Sequence, residues 1–341
     1  MAQLRIGVLG AANIAQVIVI PSMLTAEGVE LAAIGSNSDR GARFLADTDL
    51  TTRQGQRLRD AVRICTYDEL LADPGIDAVY ICLPNHLHAE WSKRSADAGK
   101  HVLCEKPATR TRTEAEDAIR HCVDRGVIWM EAFMYRFHPQ WNSVRERLAA
   151  GAIGDLRCIR SVFTFTVEDP QNIRRRPELG GGSLYDVGSY CVNVSRWMAG
   201  RSPVAVSGQQ QLSRQGIDEE FQGMLDFGNG VSALIFSSLS QPYRHEVELL
   251  GSAGRIVVPS AFFNDSDPLW VEVEDADGER ERIEVGGDDE FRLEIEDFAR
   301  CVGTGSQPAV ISHEDTLANM ATIDALYESA RTGRALELRS G

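Results

Sequence analysis

Apolar and polar positions in the first third of the chain alternate between two regimes. Short apolar runs at 4–9, 29–34, 78–83, 101–104 and 128–130 read as strands. The run at 78–83 is apolar throughout and bounded by Asp77 and Pro84, as expected of a strand buried on both faces. Between the runs, helical spacing predicts helices near 42–46, over 68–71 with Pro74-Gly75 as the stop, and over 87–98 with Gly99 beyond. A further helix over 113–125 opens on the capping-box pattern Thr113-Glu114-Ala115-Glu116 and has Gly126 just past its end. Strands alternating with helices in this way predict a parallel sheet covered on both faces.

The pattern changes after about Glu131. A helix over 139–150 is followed by strands at short intervals: 156–165, 204–212, 221–227, 231–237, 245–250, 256–258, 269–274 and 282–285. Gly228-Asn229-Gly230 and Asp275-Ala276-Asp277-Gly278 are hairpin signals, so this sheet is expected to be mainly antiparallel. Helices over 184–198 and 314–331 interrupt and close it. The second has Ser312 as cap, Gly333 beyond its end, and Leu317, Met320, Ile323 and Tyr327 on one side. The fold class is therefore α/β, with a parallel-sheet domain over 1–126 and an α+β domain on an open, mainly antiparallel sheet over 127–341. Phe221, Leu225 and Phe227 share one strand face, as do Val231, Ala233 and Ile235. Left open, such a face would aggregate, so a two-fold homodimer is expected to cover it.

Charge removes some partners. A net charge of −15 argues against nucleic acid and anionic membrane, and leaves a small molecule as the expected ligand. The N-terminus runs straight into a strand without a secretory pattern, and no apolar run is long enough to span a bilayer. The seven cysteines are odd in number and scattered, and form no Cys-x-x-Cys; a reducing cytoplasm fits them.

Candidate chemistry gathers at strand ends. Gly10-Ala11-Ala12-Asn13-Ile14-Ala15 follows the first strand and opens a helix, the context of a dinucleotide fingerprint. Gly10 allows the tight turn, and the N–H groups around Ala12, Asn13 and Ile14 would meet a pyrophosphate. Ala12 stands where the fingerprint has its second glycine. At the end of the second strand, Ser36, Asn37 and Arg40 occupy the place where an acid would grip the ribose of NAD. Hydroxyl, amide and guanidinium suit a 2′-phosphate, so NADP is expected over NAD. Leu83-Pro84-Asn85-His86 follows the central apolar strand and is placed to touch the cofactor. His86 and His88 have no acidic or cysteine partner at ligand spacing, so no metal is expected and the pair reads as supporting the site or capping the helix.

Glu105-Lys106-Pro107 follows the next strand, where Lys106 can stabilise an alkoxide and favour ionisation of a neighbouring phenol. After Gly180-Gly181-Gly182, Asp186 and Tyr190 are four apart and share a helical face as a proton-transfer pair. Phe133, Tyr135 and Arg136 read as shaping the substrate pocket, with core packing the equal reading for the aromatics. Arg174, with Arg175 and Arg176, reads either as lining a pocket mouth and gripping an acidic substrate or as a partly solvated loop.

Together these segments resemble the Gfo/Idh/MocA family of glucose-fructose oxidoreductase and inositol dehydrogenase. The resemblance runs along essentially the whole chain. Its marks are residues 10–15, Asp73-Pro74 with 77–81, Pro84-Asn85-His86, 98–107 through Glu105-Lys106-Pro107, and 180–190. It implies a Rossmann domain followed by an open α/β domain, and oxidation or reduction of a sugar, polyol or diol with NAD(P). By position, Lys106 corresponds to the family's cleft lysine, Asp186 to its carboxylate and Tyr190 to its last catalytic position. A tyrosine there, where many members carry histidine, is similar to the dihydrodiol and aldose dehydrogenase branch. The alternatives are a reductase of a nucleotide-linked keto-sugar, whose phosphates would meet Arg174, Arg175 and Arg176, and a regulator that senses NADP without turnover.

Overall fold

The computed structural model describes residues 3–39, 41, 43, 50–51, 55–264 and 268–338. Arg40 and most of the helix expected near 42–46 lie outside the described residues. The chain divides into two compact units. The first comprises Met1–Thr109, Thr113–Phe137 and Asp289–Thr316; the second comprises Arg110–Arg112, His138–Asp288 and Leu317–Gly341.

The first unit is built on six parallel strands: β1 (Leu4–Leu9), β2 (Val29–Gly35), β3 (Arg63–Cys65), β4 (Ala78–Ile81), β5 (His101–Glu105) and β6 (Trp129–Ala132). Their order is β3-β2-β1-β4-β5-β6. The chain winds one way from β1 and the other way from β4, which leaves a crevice at the carboxyl ends of these two neighbours. Every residue of β4 is buried, as its unbroken apolar run requires. The helix Tyr67–Ala72 is closed by a reciprocal capping box between Thr66 and Glu69.

Two features depart from the expected layout. The first unit runs to Phe137 rather than 126, because Trp129–Ala132 is the sixth parallel strand. It also takes back a distant segment containing the helix Glu290–Thr304. Asp289 caps that helix by accepting the N–H groups of Phe291 and Arg292 at 3.0 and 3.1 Å. Its buried stripe is Phe291, Ile295, Phe298 and Cys301.

The second unit carries a nine-stranded sheet: β7 (Leu156–Thr166), β8 (Ala205–Leu212), β9 (Asp218–Asp226), β10 (Ser232–Ser238), β11 (Ser240–Gly251), β12 (Gly254–Val258), β13 (Leu269–Asp275), β14 (Arg280–Val285) and β15 (Leu336–Glu337). The order is β14-β13-β12-β11-β7-β10-β9-β8-β15. Among the described residues of this sheet, β7 and β10 pair in parallel and the other strand pairs are antiparallel. The β9–β10 turn places Gly228, Asn229 and Gly230 all at positive φ, the conformation such a hairpin turn demands.

The sheet face expected to be open is the inner one. Phe221, Leu225, Phe227 and Ala233 are fully buried. Tyr327 packs edge-on against Phe221 at 5.7 Å between ring centroids. The alternation was read correctly, but a helix of the same unit covers that face. Outward-facing positions on the same strands include Met224 and Leu234, paired across β9 and β10 and 50% and 48% exposed.

All seven cysteines are free thiols, and all but Cys158 are buried. Among the described residues, no helix is long and apolar enough to cross a membrane.

Candidate active site

Three segments meet the carboxyl edge of the first unit's sheet. Gly10 leaves β1 with φ +113°, and a Cβ there would lie 2.9 Å from the Cys82 carbonyl oxygen. Only glycine fits, so the backbone of the first turn approaches the end of β4 without a side chain between them. Burial holds the Cys82 thiol strongly protonated, and it donates to the Gly10 carbonyl at 3.1 Å. Past this turn come Ala12, half-buried, and Asn13, exposed, followed by a widened helical turn (Ala15–Val19) and the helix Ile20–Thr25. A bare turn at the switch point, opening a helix, is a cradle that fits the pyrophosphate of a dinucleotide.

At the end of β2, Ser36 Oγ donates to the Ser38 carbonyl at 2.9 Å and accepts the Gly41 N–H at 3.2 Å. Asn37 accepts the Tyr67 N–H at 3.1 Å. Asp39, which follows in the chain, is exposed and pairs with Arg43 at 3.3 Å. The first side chains past β2 are therefore a hydroxyl and an amide that hold the loop by their own hydrogen bonds.

The loops after β4 and β5 are joined by a histidine. His88 is fully buried; its Nδ1 lies 2.9 Å from the Pro107 carbonyl and its Nε2 2.8 Å from the Leu83 carbonyl. Burial pushes this imidazole below its ordinary range, and Lys106 and His86 add to the push, while the two carbonyls oppose it. The ring thus sits between the segment Leu83, Pro84, Asn85 and His86 and the backbone beside Lys106, and the one N–H of its neutral form donates to one of the two carbonyls. Glu105 shapes the same turn: it accepts the Tyr80 hydroxyl at 2.7 Å and the Lys106 N–H at 3.2 Å. Glu131 accepts the Ala108 N–H at 2.7 Å. Behind them Glu294 is fully buried, and burial, then the charge of Glu105, pushes its carboxyl well above the carboxylate range. Lys106 itself is half-buried.

In the second unit the glycine triplet sets the path into a helix. A Cβ on Gly181 would meet the Arg174 carbonyl oxygen at 2.5 Å, and one on Gly182, at φ +130°, would meet Asp218 Oδ1 at 2.1 Å. The chain then makes a wide turn over Leu184–Gly188, which carries Asp186, and continues as the helix Ser189–Ala199, which carries Tyr190. Arg174 Nε donates to Asp186 Oδ2 at 2.6 Å. Tyr190 is buried among Phe163, Phe262 and Phe263, with ring centroids at 5.5, 5.3 and 6.0 Å.

The remaining expected pocket residues have other surroundings. Phe133 and Tyr135 are fully buried and pack edge-on at 6.2 Å. Arg136 donates to Asp315 at 3.0 Å and to the Val310 carbonyl at 2.8 Å, a tie within the first unit. Among the described residues, no group of three or more His, Cys, Asp or Glu side chains could hold a metal ion. Sequence reasoning read His86 and His88 as supporting or capping residues, without a partner for either, and it missed Glu294 and Asp218.

Comparison with known proteins decides the family. A profile for an oxidoreductase family with an NAD-binding Rossmann fold matches residues 4–133, and one for the GFO/IDH/MocA C-terminal domain matches residues 141–257. The chain belongs to the GFO/IDH/MocA family. As a member it is an NAD(P)-dependent oxidoreductase, with the Rossmann and open-sheet fold described above. D-xylose 1-dehydrogenase (NADP(+)) 2 of Haloferax volcanii is 38% identical over 334 residues, covering 97% of this chain and 99% of that protein. The dTDP-3,4-didehydro-2,6-dideoxy-alpha-D-glucose 3-reductase of Actinomadura kijaniata is 32% identical over 330 residues, 96% of each. Among solved structures, a 3-ketoreductase from Actinomadura kijaniata in complex with NADP and TDP-benzene superposes with a TM-score of 0.88 at 31% identity. The match covers 96% of this chain and 98% of that one. The aldose-aldose oxidoreductase of Caulobacter crescentus, complexed with glycerol, also has a TM-score of 0.88, at 27% identity over 98% of this chain and all of that one.

Proposed function

We propose that this GFO/IDH/MocA oxidoreductase acts on a hydroxyl or carbonyl carbon of a neutral, unphosphorylated sugar or related diol, with NADP preferred over NAD. One observation carries the choice of a neutral sugar over a nucleotide-linked one. The three arginines that would meet phosphates already face carboxylates: Arg174 pairs with Asp186, Arg175 with Glu219 at 2.8 Å, and Arg176 with Glu178 at 2.7 Å. Those carboxylates offset the positive charge of the loop, which weakens its pull on a diphosphate. Relatives of both kinds exist, a xylose dehydrogenase and a dTDP-keto-sugar reductase, and the arginine pairing supports the neutral-sugar reading between them. Ser36 and Asn37, with no acid among them, support NADP.

Gly10, Ala12, Asn13 and Ile14 would hold the pyrophosphate, Ser36, Asn37 and Arg40 the 2′-phosphate, and Leu83, Pro84, Asn85, His86, Glu105 and Lys106 the nicotinamide half. When bound, the nicotinamide accepts or returns the hydride. The residues of this chain manage the proton. Tyr190 takes the substrate hydroxyl proton as the C–H bond breaks, and returns it when the reaction runs in reverse. A phenol in water has a pKa of about 10, so it needs nearby positive charge to serve as a base near neutrality. We assign that charge to Lys106, which requires Lys106 and Tyr190 to serve one substrate. Asp186, held by Arg174, accepts a hydrogen bond from a second substrate hydroxyl and orients the sugar. The assembly we expect is a two-fold homodimer through the outer sheet face that bears Met224 and Leu234.

The test is a panel of free aldoses, polyols and diols with NADP, followed at the nicotinamide absorbance, beside a dTDP-linked keto-sugar with NADPH. Turnover of free sugars supports the proposal. Turnover of the nucleotide sugar alone would overturn it, and no turnover of any substrate at saturating NADP would favour a sensing role.

A further inference from the structure

Asp218 opens β9, far in sequence from the glycine triplet, and is almost completely buried. Each of its oxygens is engaged. Oδ1 accepts the Tyr327 hydroxyl at 2.9 Å; Oδ2 accepts the Ser183 hydroxyl at 2.9 Å and the Leu184 N–H at 2.7 Å. Ser183 and Leu184 are the residues on which the chain enters the turn carrying Asp186 and then Tyr190. The glycine at 182 has the same cause, since a Cβ there would overlap the Asp218 carboxylate. A helical start leaves its first N–H groups without partners inside the helix, and a buried carboxylate satisfies one and complements the helix dipole.

We infer that Asp218 is a positioning residue for Asp186 and Tyr190, fixing where their helix begins through Ser183 and Leu184 and being fixed in turn by Tyr327. It touches none of the groups assigned to substrate or cofactor. Its influence passes through the backbone of 183–190. An amide at this position can reproduce the contacts: its oxygen accepts from Ser183 and Leu184 and its nitrogen donates to the Tyr327 oxygen. Alanine reproduces none of them. This inference rests on the proposed roles of Asp186 and Tyr190, so its test includes a measurement that needs no substrate.

The full-length protein is compared as wild type, Asp218→Ala, Asp218→Asn and Tyr327→Phe, by steady-state kinetics on the best sugar, NADP titration and amide hydrogen exchange. Asp218→Ala is expected to lower kcat by about 10- to 100-fold, the scale of a misplaced acid–base group, with NADP affinity within about twofold. Exchange at 184–190 should speed up. Asp218→Asn should return kcat to within about fivefold of wild type, a rescue that general loss of packing would not give. If Asp218→Ala does not fold, Tyr327→Phe carries the test, with a smaller fall in kcat and faster exchange at Leu184. Wild-type kcat together with wild-type exchange at 184–190, in whichever of these two variants folds, overturns the inference. If exchange responds but the wild type turns over no sugar, the anchor stands and the functional reading fails.

Discussion

Two buried groups in the second unit titrate in opposite senses over the same pH range, and their substitution should expose slopes that the intact protein conceals. His138 caps the helix Pro139–Ala149 by accepting the Gln140 N–H at 3.2 Å; burial pushes its pKa from 6.5 down to about 4. Asp218 is pushed by burial from 3.8 up to about 6, against the three donors that face it. For His138 the unfolded chain binds more protons between these values. Its contribution is therefore present above pH 6.5 and lost as pH falls toward 4. For Asp218 the folded chain binds more protons, so its contribution is present below pH 3.8 and lost as pH rises toward 6. At about 1.4 kcal/mol per pH unit, each shift of about two units is worth about 3 kcal/mol. The two nearly cancel. His138→Asn keeps a capping oxygen and removes the base, so its stability relative to wild type should fall by about 3 kcal/mol as pH rises from 4 to 6.5. Asp218→Asn should show the opposite relative slope. Urea unfolding followed by the fluorescence of Trp141 and Trp197, which pack at 5.7 Å in this unit, reads both. Surface carboxylates such as the half-buried Glu274 and the exposed Glu328, held low by arginine partners, titrate alike in all variants and drop out of the difference. A relative slope of zero in either variant would refute the reasoning for that group.

Other expectations concern activity. Tyr190→Phe and Lys106→Ala should each reduce turnover by about 10²- to 10⁴-fold, and the double variant should lose no more than the worse single one, because the residues act as a unit. Near-normal turnover in Tyr190→Phe would move the proton-transfer role elsewhere. Arg40→Ala should weaken NADP by about 1–3 kcal/mol and leave NAD nearly unchanged; equal loss for both cofactors in parallel titrations would count against a 2′-phosphate contact. Gly10→Ala places a Cβ against the Cys82 carbonyl in a backbone conformation that L-residues avoid, at a cost of about 1–3 kcal/mol. Its thermal shift on adding NADP should shrink, and an unchanged shift would place the cofactor away from this turn.

What could be read from the chain follows from how local each signal is. Strand β4 was legible because burial on both faces requires an unbroken apolar run within four residues. The Gly10 turn, Glu105-Lys106-Pro107 and the glycine triplet were legible because each is a short motif in a definite place relative to a strand or helix. The helix Glu290–Thr304 had a readable stripe in Phe291, Ile295, Phe298 and Cys301. Its position after a run of hairpins gave no hint that it rejoins the first unit. The open sheet face was misplaced for the same reason. Alternation identifies which residues share a face, but the cover over Phe221 comes from Tyr327, more than a hundred residues later. Asp218 is the clearest case. A lone aspartate at a strand start reads as solvated, and nothing nearby says otherwise. Its meaning depends on Ser183, 35 residues before it, and Tyr327, 109 residues after it. The arginines at 174–176 could be read either as gripping an acidic substrate or as a partly solvated loop, and only the fold supplied their partners Asp186, Glu219 and Glu178. In this chain the candidate reacting groups are announced by local pattern. The groups that hold them in place belong to contacts made only when distant segments fold together.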